Sequence, residues 1–181
     1  MNTFASFRQS GISMLEVLVA LVVISLGLLG IAGMQAAAIN NTNIARSRSI
    51  GAIAAESMAA AMHANNAYWT ALSSANSNSW TVTASGVTGT PSLTQTVNCS
   101  ASGSNCSAAN MAAYDTTQWG SGMLGTLPSG QGQIACTPAT TTSPTSCTIT
   151  VSWQEKQSKV NAATMTAPAT ASATYQMVVI P

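Results

Sequence analysis

An almost unbroken apolar run covers residues 12–33 (ISMLEVLVALVVISLGLLGIAG), and Glu16 is its single charged residue. About 20 consecutive apolar residues are enough for an α-helix to cross a bilayer. A carboxylate inside such a helix is costly unless it is neutralised, and ionisable residues in membrane spans usually serve a function. The run therefore predicts a membrane-spanning helix, with Glu16 as its first candidate functional residue.

The residues alone leave more than one interpretation of this segment open. A secretory signal would be cut near Ala36 and Ala38, but such signals have apolar cores of about 7–15 residues, shorter than this one. A plain membrane anchor would keep Glu16 solvated at the interface. A lipoprotein signal needs a cysteine directly after the core, and the first cysteine is Cys99. The lipoprotein interpretation therefore fails.

A further interpretation comes from residues 11–16 (GISMLE) and the apolar helix that follows them. They resemble the N-terminal signal of the type IV pilin superfamily, which places a glycine, a later acid and an apolar helix at a fixed spacing. The resemblance implies that a prepilin peptidase cuts after Gly11 and N-methylates Ile12. The helix would then remain on the mature protein. Ile12 stands where the family usually has phenylalanine.

Glu16 has a physical role to play in such a processed chain. Cleavage after Gly11 would free the amine of Ile12 about one helical turn from the Glu16 carboxylate. The carboxylate can pair with that amine, or with the same amine on a neighbouring chain, inside an apolar bundle. Because a wrong axial offset would leave a charge unpaired, the pair would set the register between subunits.

Charge is scarce throughout the chain, with five Lys or Arg, four Asp or Glu and a formal net charge of +1. Without a basic patch, nucleic acid is not an expected partner. Asp115 and Glu155 are isolated carboxylates. Asp115 is expected to face water on its helix. Glu155 is expected at a solvated strand end, near Lys156 and Lys159. His63 is expected on the surface. No catalytic constellation and no cofactor are predicted.

The four cysteines follow the apolar run, and an even number in an exported domain predicts two disulfides. Three connectivities are possible, and we predict nearest-neighbour pairing of Cys99 with Cys106 and of Cys136 with Cys147. Each bond would stabilise the fold by about 2.5–3 kcal/mol on the chain-entropy model. A zinc site is the alternative, but the chain has no CxxC motif and one histidine, so no metal is expected.

The helical pattern continues beyond the membrane segment and predicts one helix over residues 12–64, with a stop at Asn65-Asn66. Its second half is expected to form the spine of a globular head. The predicted buried face of that half comprises Ile50, Ile53, Ala54, Met58 and Ala61.

The rest of the chain predicts short strands and one further helix. The strands are expected at residues 80–83, 93–99, 133–137, 147–153 and 174–180. Residues 108–124 are expected to form a helix with Ser107 as its N-cap, and residues 167–172 a linker. The result is an α+β fold in which the long helix packs on an antiparallel sheet of about four strands. This arrangement resembles the pilin fold.

The resemblance extends beyond the signal to dispersed segments that are similar to minor pilins, for example residues 58–65 (MAAAMHAN) and 148–153 (TITVSW). It implies a leader at 1–11, a transmembrane and filament-core helix at 12–39, and a periplasmic head at 40–181. The implied location is the inner membrane and then the pilus. The implied partners are the prepilin peptidase, other minor pilins, the major pilin and a large tip adhesin.

Two other functions remain open at this stage. A pseudopilin of a type II secretion system shares the same signal and helix. A membrane-tethered adhesin would use the helix for anchoring alone, with tryptophans forming a sugar-stacking surface. In a domain of this size tryptophans are more often core residues, which is the prediction here. The tryptophans concerned are Trp69, Trp80, Trp119 and Trp153.

Overall fold

The structure of the chain is a computed structural model that describes residues 13–157 and 169–181. Contacts divide the chain into two compact units, the first ending at Asn41 and the second covering Thr42–Pro181. Helix α1, Met14–Ala64, begins in the first unit and ends in the second. The leader residues and Ile12, where processing was predicted, lie outside the described residues.

The remaining helices and strands follow α1 in an α+β order. They are α2 (Asn66–Trp69), β1 (Ser79–Thr83), β2 (Gly86–Thr90), α3 (Ala108–Gln118), a π-helical turn (Trp119–Met123), a 3₁₀ turn (Leu124–Thr126), β3 (Gln131–Thr137), β4 (Ser146–Gln157) and β5 (Ala169–Val179). The long helix and the antiparallel sheet confirm the predicted fold class, which is pilin-like.

Helix α1 ends where the sequence predicts. The Asn65 amide still bonds the Ala61 carbonyl at 3.1 Å, while the Asn65 side chain donates to the Ala108 carbonyl at 2.8 Å. This second bond ties the end of α1 to the start of α3. Ser107 caps α3, accepting a 3.2 Å bond from the Asn110 amide, so the predicted N-cap is confirmed.

The buried face of α1 is partly the predicted one. Ala54 and Met58 are buried, but Ile53 is 53% exposed. Ile53 lies two residues from buried Gly51 and thus about 200° around the helix from it, on the solvent side. The face that packs consists mainly of small residues and methionine: Gly51, Ala54, Ala55, Met58, Ala59 and Met62.

The sheet has five antiparallel strands in the order β2-β1-β3-β4-β5, rather than about four. The added strand is β2, which pairs Gly86 with Thr83 and Thr90 with Ser79. The expected strand at 93–99 is wrong, since those residues are irregular. Its Thr and Val content favoured a strand, but the tight connection after β1 places residues 86–90, not 93–99, beside β1.

The last strand is longer than predicted. Residues 169–172, expected to be a linker, pair in register with residues 154–157 of β4. Alanine, which occupies two of these four positions, has low strand propensity, but pairing with a neighbouring strand overrides that preference. Residues 167 and 168 of the predicted linker lie outside the described part of the chain.

The core of the second unit lies between the C-terminal part of α1, the α3 region and one face of the sheet. Strand β3 alternates exposed and buried side chains along its length. Strand β4 buries Ile149, Val151 and Trp153 as its alternating sequence predicts. Disulfides join Cys99 to Cys106 and Cys136 to Cys147. The second bond crosses directly between paired positions of β3 and β4.

Candidate functional site

The N-terminal part of α1 presents an apolar surface that the described chain does not cover. α1 contains a stretch long and apolar enough to cross a membrane, and none of that stretch is buried. Leu15, Leu18 and Leu29, for example, are 71%, 63% and 69% exposed. An apolar surface of this extent marks contact with lipid or with another protein.

Glu16 lies in the first turn of α1 and is exposed. Its amide bonds the Ser13 carbonyl at 2.9 Å, so the turn is formed at this residue. An acid is favourable at this end of a helix, which is the positive end of the helix dipole. Among residues 13–157 and 169–181, no cation pairs with the Glu16 carboxylate.

The structure corrects the expectation for Glu155. Glu155 is not at a solvated strand end but is 6% exposed on β4. Arg48 of α1 donates from Nε to Oε1 and from Nη2 to Oε2, both at 3.0 Å. The indole Nε1 of Trp153 also donates to Oε1, at 3.1 Å. Two charge-assisted bonds therefore fasten α1 to β4 at this point, and a third, within β4, holds the carboxylate.

The ion pair shifts the pKa of both partners. The hydrogen bonds from Arg48 lower the pKa of Glu155, against burial, which acts to raise it; the bond from Trp153 adds to the lowering. The same hydrogen bond raises the pKa of Arg48, whose side chain is 65% exposed. The pair is ionised at neutral pH, and it serves to position α1 on the sheet. Arg48 and Glu155 are 107 residues apart in the chain, so no local sequence pattern indicated that they would pair.

Asp115 departs from its expected solvent-facing position. It is half-buried on α3, beside a groove whose floor includes Met58 and Trp119. Burial raises the pKa of the Asp115 carboxyl. His63, at the end of α1, is exposed as predicted. Within the described ranges, no three His, Cys, Asp or Glu side chains group as metal ligands.

All four tryptophans are buried, as the core interpretation predicts. Trp69 and Trp80 meet edge to face with ring centroids 5.5 Å apart. Trp119 donates from Nε1 to the Ala54 carbonyl of α1 at 2.8 Å. None of them offers an exposed ring face for a sugar. The structure thus removes the feature that favoured a glycan-binding head.

The comparisons with known proteins bear on the N-terminal segment. Residues 6–32 match the family described as Prokaryotic N-terminal methylation motif. The match covers Gly11, Ile12 and Glu16 together with the start of the apolar helix. Neither the curated proteins nor the solved structures contain a match to the chain. The motif supports a type IV pilin-like or pseudopilin-like protein, which is a structural subunit.

Proposed function

We propose that this chain is a minor pilin of a type IV pilus. The observation that carries the proposal is the methylation motif at residues 6–32, continuous with a helix whose apolar surface is left uncovered. A helix of this kind can lie in lipid first and pack among similar helices afterwards. The inner membrane would hold the anchor, with the head at 40–181 in the periplasm until the subunit enters the pilus.

Processing would act at the start of the helix. A prepilin peptidase would cut after Gly11 and methylate the new amine of Ile12, which leaves the segment 12–39 as transmembrane and filament-core helix. Glu16 would pair with that amine, on its own or a neighbouring chain, and set the axial register of the subunit. Glu16 lies in the first turn of α1, and no cation of residues 13–157 and 169–181 pairs with it, which supports this role.

Within the superfamily, the chain resembles the minor pilin PilV. The resemblance lies in the apolar helix, in residues 58–65, in residues 127–130 after Trp119, and in residues 148–153. It implies a subunit that starts pilus assembly with other minor pilins and sits near the tip. The major pilin and a large tip adhesin would be further partners, and twitching motility and adhesion would depend on it.

A pseudopilin of a type II secretion system is the second candidate, because the matched motif does not distinguish the two assemblies. Deletion of the gene separates them. The proposal predicts loss of surface pili and of twitching, with secretion unchanged, and recovery of the mature chain from sheared filaments. Loss of secretion with normal pili would contradict the pilus assignment and favour the pseudopilin.

A further inference from the structure

Strand β5 is an edge strand along its whole length. It pairs with β4 from Ala169 opposite Gln157 to Val179 opposite Cys147. On its other side, no strand among residues 13–157 and 169–181 pairs with it. In an antiparallel ladder, backbone groups point alternately to the two sides of a strand. Half of the N–H and C=O groups of β5 therefore face the open side.

The two edges of the sheet differ in how they are protected. Natural edges are blunted by short strands, glycine kinks, proline and charge. Strand β2 has five residues, includes Gly86 and Gly89 at φ 153°, and is followed by Pro91. Strand β5 has eleven residues and contains no glycine, no proline and no charged side chain. The β2 edge thus carries features that disfavour strand addition, and the described β5 edge lacks them.

The open edge also carries exposed apolar side chains. In the described residues of the second unit, three large hydrophobic side chains are exposed: Ile53, Val178 and Ile180. Val178 is 66% exposed at the end of β5, and Ile180, 55% exposed, directly follows the strand. A partner that pairs with β5 could cover both.

We propose that the open side of β5 binds an extended, uncharged segment of another subunit of the assembly, which adds a strand to the sheet. This inference rests on the proposed function, because the partner is a subunit of the same filament. The edge strand itself indicates what binds there, because a row of free backbone N–H and C=O groups is satisfied by another extended backbone. Recognition of this kind is known as β-augmentation. Apolar side chains on the partner would meet Val178 and Ile180.

A second copy of this chain paired antiparallel through β5 does not fit as the occupant. Such a pair has a two-fold axis perpendicular to the sheet. Because α1 packs on one face of that sheet, the axis would make the two α1 helices run in opposite directions. Helices inserted in one membrane through the same N-terminal signal run in the same direction. This geometry excludes antiparallel β5–β5 pairing of two copies, and the proposal assigns the added strand to a different subunit.

Hydrogen–deuterium exchange tests the proposal on the full mature chain in detergent, alone and in the complex co-purified with the other minor pilins. We expect exchange in peptides covering 169–179 to slow at least tenfold in the complex, while peptides covering β2 stay unchanged. Equal exchange of β5 in both samples would overturn the proposal. So would full protection in the isolated chain, since a segment of the same chain would then cover the edge.

A pair of variants tests the same edge without exchange data. Val178→Lys places a charge on the open edge, and Thr88→Lys places one at an exposed position of β2 as the control. We expect V178K to reduce co-purification of the other minor pilins at least tenfold and T88K to leave it unchanged, with both variants processed and folded. Unchanged co-purification of V178K would overturn the edge proposal alone. A chain that is never processed would overturn the pilin assignment as well.

Discussion

At the scale of single residues, the carboxylates of Glu16 on α1 and Glu155 on β4 differ in burial and in their hydrogen-bond partners. Glu155 is buried and accepts three hydrogen bonds from Arg48 and Trp153. Glu16 is exposed on an apolar helix and has no cation partner in the described chain. The first is satisfied within the subunit and stabilises the head. We propose that the second pairs between subunits.

Replacing Glu16 with alanine tests its proposed role. We expect Glu16→Ala to insert in the membrane normally, because removal of a charge favours the apolar environment. Incorporation into filaments should fall at least tenfold, because subunits lose the pairing that sets their register. The measurement is the amount of the chain in sheared pili relative to the membrane fraction. Glu56→Ala, also exposed on α1, is the matched control; normal incorporation of E16A would count against the registry role.

The Arg48–Glu155 pair predicts an unequal effect of removing each partner. Arg48→Met should lower the thermal unfolding temperature more than Glu155→Gln, because R48M leaves a buried carboxylate without its cation, whereas E155Q leaves an exposed arginine in water. The amide of E155Q can still accept a bond from Trp153. Thermal unfolding of the full chain in detergent measures both. A larger decrease of the unfolding temperature in E155Q than in R48M would contradict the argument that an unpaired buried carboxylate is the more costly defect.

At the scale of elements, α1 uses its two parts differently. The N-terminal part keeps its large apolar side chains exposed, while the part in the second unit buries small residues. Small residues let the helix approach the sheet closely, and Gly51 is the clearest case. A Cβ atom at Gly51 would lie 2.5 Å from the Trp153 ring.

This close approach predicts that Gly51→Ala destabilises the head, although alanine favours a helix by about 1 kcal/mol over glycine. Overpacking costs about 1–3 kcal/mol, and the Trp153 ring is held by its bond to Glu155. Gly122→Ala is the control, because nothing lies within 4 Å of its Cβ position. Chemical denaturation of the full chain measures both, and a G51A variant as stable as wild type would contradict the packing.

The elements also show how far the sequence alone could lead. Residues 147–153 were predictable because alternation is a direct consequence of having one buried face. The end of α1 at Asn65 and the Ser107 cap were predictable because they are local. Strand β2 was not, since its glycines carry no strand preference and its place depends on β1. The Arg48–Glu155 pair was not, because only the fold brings the two residues together.

At the scale of the whole molecule, the chain combines a folded head with an apolar segment that needs other molecules to cover it. Charge is scarce on both, and one of the few ion pairs that the composition allows is buried against the sheet. We therefore expect Glu155 to account for much of the stability that the second unit loses in acid.

The pKa of Glu155 is lowered in the folded state by the bonds from Arg48. Its contribution to stability is therefore complete above the pKa of glutamate in the unfolded chain, and it is lost as pH falls through the lower folded value. We expect wild type to lose more stability than Glu155→Gln on acidification from pH 7 to about pH 3. Unfolding temperatures across this range measure the difference. Parallel curves for the two proteins would contradict the linkage.

The proposed function requires that the apolar helix be trimmed at its N-terminal end and then kept. Mass spectrometry of the mature protein from membranes and from filaments measures this directly. We expect a chain that begins at Ile12 with a methyl group on its amine. A soluble periplasmic chain that begins near residue 39, with the helix removed, would contradict it.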